Sequence, residues 1–374
     1  AQFGRTTDPL AAYDEQFQQV DVKPYDLWLE ERIHNQGYAD GTIDVIERRV
    51  RQWRKHLRSE DTESDDDTED EDDAENKEWN RHPAAPSTQH VIDFAKHYLD
   101  KKGNSKDTVA AKLSTLSRAF QYFQSEPAFP HQKDFNPFDV AKGKLALTGD
   151  DPKPPHQIEL GELQLKIRED IKHIRDRALI VTQLKLGLRA SEVSNIKLSE
   201  IHIANSELQE HYEELGTHPA LEGRENAVYI PHDRKRNKSK RPRVLPLDDE
   251  LRRLLLQYLL CRPDNGRPWV FLSKSGGKKL DPDNINDIWK KYFRPEYDPT
   301  ERYRGVSSHY GRHYFTTWFK IERDWSRDLI KYMRGDRQSG GDMQSSRDAI
   351  DSYIHAWYED IENRYRQGIF KLRL

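Results

Sequence analysis

The chain has 374 residues, of which 34% are hydrophobic and 34% charged, and a formal net charge of −4. That length supports two domains with cores of their own. A single cysteine, Cys261, excludes a disulfide framework and cysteine-based metal sites. No apolar run reaches the ~18–20 residues of a membrane span.

The opening residues lack the apolar core of a signal peptide, so a soluble intracellular protein is expected. Residues 1–20 are polar and irregular and read as a flexible arm. From Pro24 the pattern turns helical, with Tyr25, Trp28, Leu29 and Ile33 on one stripe. Residues 37–42 break that helix and start the next. There Val45, Ile46, Val50 and Trp53 form an apolar face, and Arg48, Arg49, Arg51, Arg54 and Lys55 carry the positive charge. Those bases suit a solvated helix face or contact with a DNA backbone.

Residues 60–76 hold twelve acids and no base. Like charges at that density repel, so 60–78 are expected to be a disordered insertion. Without the twelve acids the formal charge rises from −4 to +8, which favours a polyanionic partner. Helical signals resume behind Pro86-Ser87-Thr88, with Val91, Ile92, Phe94, Ala95 and Leu99. After Gly103-Asn104, Ser105 or Asp107 starts a helix through Val109, Leu113, Leu116, Phe120 and Phe123. Four short helices with basic faces are therefore expected over 21–125. Residues 126–157, rich in proline, glycine and asparagine, read as a linker.

The second half opens with a helix over 161–170 and another from Ile174 to Leu186, which Gly187 ends as a C′ glycine would. Val228-Tyr229-Ile230 and the stretch 243–247 read as strands flanking a tip that holds Arg234, Lys235, Arg236, Lys238, Lys240 and Arg241. A helix over 248–260, a buried strand at Trp269-Val270-Phe271-Leu272 and mainly helical remainder complete the chain.

Within this half, His309 and Arg312 stand three residues apart, one helical turn, and can address the same target. A basic pair of this kind suits a phosphate: arginine clamps it with two N–H groups and histidine moves a proton. Arg189, the basic hairpin and Tyr353 supply the other groups a metal-free phosphoryl transfer requires. Arginines neutralise the non-bridging oxygens, tyrosine attacks phosphorus, and lysine or histidine handles protons. No carboxylate cluster suited to two magnesium ions is apparent, so no cofactor is expected.

The order Arg…Lys…His-x-x-Arg…Tyr resembles the tyrosine recombinase, or phage integrase, family. Gly187-Leu188-Arg189-Ala190-Ser191-Glu192-Val193 is similar to its first arginine box. Lys238-Ser239-Lys240-Arg241-Pro242-Arg243-Val244-Leu245-Pro246-Leu247 is similar to its β-hairpin lysine segment. His309-Tyr310-Gly311-Arg312 with Thr316-Thr317 is similar to its second box, and Ser352-Tyr353-Ile354-His355 to its nucleophile segment.

The resemblance implies a mainly α fold with a small β-sheet: a SAM-like helical core-binding domain over 21–147, a linker over 148–157, and a mixed α/β catalytic domain over 158–374. It also implies that Arg189 and Arg312 hold the scissile phosphate. Lys238 would be the general acid, with Lys240 its rival, and His309 would assist proton transfer. Tyr353 would form a 3′-phosphotyrosyl bond, with Tyr358 as the backup nucleophile, and Glu192 would be a structural partner of the first arginine. The implied partners are double-stranded DNA and further copies of the chain, as a tetramer on two sites inside the host cell. The C-terminal stripe Ile361, Tyr365, Ile369 and Phe370 packs on its own domain or, by the family analogy, on a neighbour.

One departure stands out. Asp336 occupies the place where the family sets a second histidine or a tryptophan, and a carboxylate cannot donate a hydrogen bond to phosphate. Arg334, Arg337 or another side chain is then needed for that role. Integration and excision of a mobile element is the role this reading favours, with replicon-dimer resolution and type IB topoisomerase activity as alternatives. A non-catalytic DNA-binding protein on the same fold, or a metal-dependent nuclease, would be a different class of answer.

Overall fold

The computed structural model describes residues 8–19, 23–38, 40–58, 79–149, 152–239, 241–336 and 358–374. The acidic stretch 60–78, Lys240 and the segment around Tyr353 lie outside the described residues. The chain divides into two compact units between Pro152 and Lys153, a point within 148–157. The described residues are mainly helical, with one three-stranded sheet among them.

In the first unit, residues 8–19 are part of the fold and not a loose arm. Helix α1 (Asp14–Gln19) buries Phe17, Leu10 is 1% exposed, and Asp8 lies 3.1 Å from Arg81. Two apolar residues seven apart in a polar stretch make too sparse a stripe to read as a helix. Helix α2 (Pro24–Trp28) begins with proline at its first turn and passes into wider π-type turns over Leu29–His34. Tyr25, Trp28, Leu29 and Ile33 are all buried.

Helix α3 (Asp40–His56) buries Ile46, Val50 and Trp53. Part of its positive face is spent inside the unit. Arg49 donates to the Ala111 carbonyl and, at 2.6 Å, to Thr115 Oγ1, and Arg54 pairs with Asp26 at 2.6 Å. Helix α4 (Thr88–Lys96) is capped by Ser87, and α5 (Lys106–Ser125) by Ser105, whose hydroxyl accepts from the Thr108 N–H. The stretch expected to be linker contains a further helix, α6 (Pro137–Lys144). Its Phe138 and Ala141 are fully buried against the unit's core. Its cap, Asn136, and its first residue, Pro137, are the turn-forming types that disguised it.

The second unit opens with α7 (Leu160–Glu169) and α8 (Ile174–Leu186). Eleven of the thirteen α8 residues are buried, which makes it the central helix of the unit. Even Lys185 is fully buried, its Nζ 2.7 Å from both Asp248 Oδ2 and Glu250 Oε2. Helix α9 (Ala190–Ser194) follows, then strand β1 (Ile201–His202), α10 (Ser206–His211), β2 (Ala227–Ile230) and β3 (Arg243–Pro246).

The sheet is antiparallel in the order β1-β2-β3, with Val228 opposite both Ile201 and Leu245. The two-residue β1 is too short to leave a sequence period. Residues 269–272 do not form the expected strand. Only single bridges occur there, from Trp269 to Lys197 and from Leu272 to Lys279. The apolar run is buried without a ladder to join.

Helices α11 (Asp249–Cys261), α12 (Pro282–Phe293), α13 (His309–Thr317) and α14 (Arg327–Arg334) follow, then a C-terminal helix, Tyr358–Gly368. Ile361, Tyr365, Ile369 and Phe370 are buried in the core of their own unit, so the tail packs in cis here. No described helix is long and apolar enough to cross a membrane.

Candidate active site

The site begins where α8 ends. Gly187 is left-handed (φ +62°), and a Cβ there would sit 2.6 Å from Phe315 Cδ1. The tight stop at Gly187 leaves its carbonyl free to accept from Arg312 Nη1 at 2.8 Å. Two residues on, Arg189 is the N-cap of α9 in extended conformation, and its backbone N–H donates to Glu192 Oε2 at 2.7 Å. The start of α9 is therefore locked by Glu192 reaching back, and the Arg189 side chain is aimed out from that anchor.

Arg312 comes up from α13 and is 2% exposed. Its Nη2 donates to the Arg334 carbonyl at 3.0 Å and to Asp336 Oδ1 at 2.7 Å. Arg189 Nη2 donates to the same Asp336 Oδ1 at 3.0 Å. The two arginines that the sequence paired thus converge on one oxygen. Burial and the charge of Arg189 lower the proton affinity of Arg312, while Glu192 and Asp336 oppose that shift. A guanidinium stays protonated in such company.

A third guanidinium belongs to the cluster. Arg334 Nε lies 2.8 Å from Asp336 Oδ2, at an angle that makes it a charge contact and not a hydrogen bond. Arg334 Nη1 donates to Thr316 Oγ1 at 3.2 Å, and that hydroxyl in turn donates to the Arg312 carbonyl at 2.7 Å.

Behind the arginines lies a buried network. Arg243, at the start of β3, and Glu192 both have fully buried side chains, and Arg243 Nη2 donates to Glu192 Oε1 at 3.2 Å. Ser239 donates to the same oxygen, and Arg243 Nε donates to the Met333 carbonyl at 2.7 Å. Burial alone would raise the Glu192 carboxyl. Arg243 and Arg312, with the Ser239 hydroxyl and the Arg189 N–H, more than offset that and hold it below the ordinary carboxylate range.

This network connects β3, the loop before it, α9 and the end of α14. Gly335, left-handed at φ +66°, closes the arrangement, because any Cβ there would strike the Arg243 guanidinium.

Lys238 is exposed and sits between two anchored neighbours. On one side Asn237 Oδ1 accepts from Asn195 Nδ2 at 2.8 Å, and on the other Ser239 is held by Glu192. The lysine loop is thereby tied to both ends of α9, the helix that Arg189 begins.

His309 lies exposed at the start of α13. Partial burial and the guanidiniums of Arg312, Arg304, Arg189 and Arg334 hold its imidazole below the ordinary value of 6.5. Tyr353 and the rival Lys240 lie outside the described residues. Tyr358 is 4% exposed, packs with Leu221, Ala227 and Val244, and has Arg224 over its ring. Burial raises its phenol well above the ordinary range, so it makes a poor nucleophile as placed. Among the described residues, no group of three or more His, Cys, Asp or Glu side chains is placed to hold a metal ion.

The structure therefore brings together Arg189, Arg312, Arg334 and Asp336, with Lys238 anchored through Ser239 to the Glu192 network behind them. Sequence reasoning did not find the buried roles of Arg243 and Ser239. The available signal was a charged residue opening an otherwise apolar strand, Arg243-Val244-Leu245-Pro246, all four of which are buried.

Residues 159–338 match the family model described as the phage integrase family. Among solved structures, the chain is similar to a lambda integrase tetramer bound to a Holliday junction: TM-score 0.58, 12% identity, covering 92% of this chain and 84% of that one. It is also similar to the Tn1549 transposon integrase in complex with transposon right-end DNA, with TM-score 0.56, 15% identity, and coverage of 92% and 99%. A lambda integrase dimer bound to a COC′ core site gives TM-score 0.54 at 12% identity, covering 83% and 94%. Comparison with curated protein sequences gives no match. At these identities the structures speak for the fold, while the family model speaks for the sequence; together with the converging arginines they place residues 159–338 of this chain in the phage integrase family, the tyrosine recombinases.

Proposed function

We propose that the chain is a site-specific DNA recombinase that cuts and rejoins double-stranded DNA through a covalent phosphotyrosyl intermediate. The observation that carries this reading is the meeting of Arg189 Nη2 and Arg312 Nη2 on a single anionic oxygen, at 3.0 and 2.7 Å. Two guanidiniums preset on one point, one of them almost wholly buried, stabilise the extra negative charge of a five-coordinate phosphorane. Charge-assisted N–H groups of this kind act most strongly in a water-poor site.

In the proposed reaction the Tyr353 phenol oxygen attacks phosphorus and the bond to the 5′ oxygen breaks. Lys238 delivers a proton to that leaving oxygen, and His309 receives or relays the phenolic proton. The strand is then held as a 3′-phosphotyrosyl ester, and a 5′-hydroxyl reverses the same steps on the new partner. One ester is exchanged for another, so the step requires no nucleotide hydrolysis. Exchange between two duplexes requires four such cuts, which suits a tetramer on two sites. Integration and excision of a mobile element is the role we favour.

The test is a nicked substrate carrying the recombination site, incubated in EDTA. A covalent protein–DNA adduct is expected from wild type and none from Tyr353→Phe, while Tyr358→Phe retains it. An adduct that survives Tyr353→Phe and disappears in Tyr358→Phe would reverse the nucleophile assignment. One observation favours a second reading, a non-catalytic DNA-binding protein: a carboxylate, Asp336, stands on the arginines. Absence of adduct on every bound site would support it.

A further inference from the structure

Asp336 is the residue at which this chain departs from its family, and its surroundings are those of a ligand. Oδ1 accepts from Nη2 of both Arg189 and Arg312, and Oδ2 lies 2.8 Å from Arg334 Nε. A carboxylate and a phosphodiester each present two oxygens sharing one negative charge, so the three guanidiniums hold the carboxylate as they would hold the diester. Arg334 Nε meets the carboxylate as a charge contact and makes no hydrogen bond. An anion with more oxygens than a carboxylate could take up that unused donor.

The backbone of residue 336 is fixed by the helix end, whereas its side chain is held through the guanidiniums. The Asp336 N–H bonds to the Lys331 carbonyl at 3.0 Å and the Gly335 N–H to Tyr332 at 3.0 Å, which closes the end of α14. The carboxylate hangs from that cap by two rotatable bonds and is 26% exposed. Arg334 is braced independently, through Thr316 and through its own carbonyl on Arg312. Neither of those contacts involves the carboxylate.

We infer that Asp336 is a built-in stand-in for phosphate, occupying the anion position until DNA displaces it, and that Arg334 is a third phosphate-binding guanidinium of the same site. Arg334 then takes the place of the donor that the family sets at position 336. The inference rests on the proposed phosphate-holding role of Arg189 and Arg312.

The probe is inorganic sulfate, titrated calorimetrically into the full-length DNA-free protein in a low-chloride buffer. Asp336→Asn keeps the shape and removes the charge, and Asp336→Ala serves as a second variant. Each is expected to bind sulfate about tenfold or more tightly than wild type, because a neighbouring negative charge is gone. Adding Arg334→Gln to Asp336→Asn is expected to abolish most of that gain, whereas Arg334→Lys retains part of it.

Unchanged or weaker sulfate binding in both Asp336 variants would overturn the inference. So would a full gain persisting in the Arg334→Gln double variant. Sulfate binding uses neither Tyr353 nor Lys238, so the two readings fail separately. Tighter sulfate binding without any DNA adduct would refute the transesterification and leave the anion site. Adduct formation with flat sulfate binding would refute the inference alone.

Discussion

Glu192→Gln is the most informative single change in the catalytic unit. Both Glu192 oxygens act as acceptors: Oε2 from the Arg189 N–H at 2.7 Å, and Oε1 from Ser239 and from Arg243 at 3.2 Å. An amide offers one acceptor and one NH₂ group, so whichever way it is turned, the NH₂ faces a donor. The change also leaves the Arg243 guanidinium buried without its counter-charge. Breaking a buried pair from one side costs about 3–5 kcal/mol, which corresponds to a fall in melting temperature of roughly 6–20 °C for a unit of this size.

The assay is urea unfolding of the full chain at pH 7, with Arg243→Met and the Glu192→Gln/Arg243→Met pair completing a double-mutant cycle. The pair should be clearly more stable than the sum of the single losses, because it buries no lone charge. The pH dependence follows from the depressed Glu192 carboxyl. Its contribution is fully present above the ordinary value of about 4.5 and is lost as pH falls through the lower folded value. The wild-type advantage over Glu192→Gln should therefore hold from about pH 5 to 8 and shrink below about pH 4.5. A loss under about 1 kcal/mol, or strict additivity in the cycle, would refute the reasoning.

Lys238→Ala should lose cleavage of the nicked substrate and regain part of it with a 5′-thiol leaving group, which needs no protonation; rescue confined to Lys240→Ala would move the general acid to that residue. The His309 imidazole should titrate below its ordinary 6.5 in the DNA-free protein, so that it is neutral at pH 7. An NMR midpoint at or above that value contradicts the electrostatic picture. Gly335→Ala forces a side chain into φ +66° and against Arg243, with an expected loss of about 2 kcal/mol or more in urea unfolding; a neutral result would mean that the end of α14 can re-form elsewhere.

Long, strongly patterned elements could be read from residue order alone. Ile174–Leu186 with Gly187 behind it, the Ser87 and Ser105 caps, and the paired strands around Tyr229 and Val244 lie where their local chemistry places them. The order of Arg189, Lys238, His309, Arg312 and Tyr353 suggested a phosphoryl-transfer site; of these, Arg189 and Arg312 meet on Asp336 Oδ1, and the roles of all five are proposals. Helix α6 and the folded stretch 8–19 could not be read from residue order, since proline, asparagine and sparse apolar residues are equally consistent with a loop until a core is present to receive Phe138 and Phe17.

What the sequence determined by itself is the inventory of charges and the helices that carry them. Only the tertiary structure decided which charges face one another. Arg243 is 51 residues from Glu192, and Asp336 is 147 from Arg189. No local period encodes pairings of that span. They arise because Gly187 and Gly335 end two helices beside the same point, where guanidiniums and carboxylates removed partly or wholly from water pair with one another.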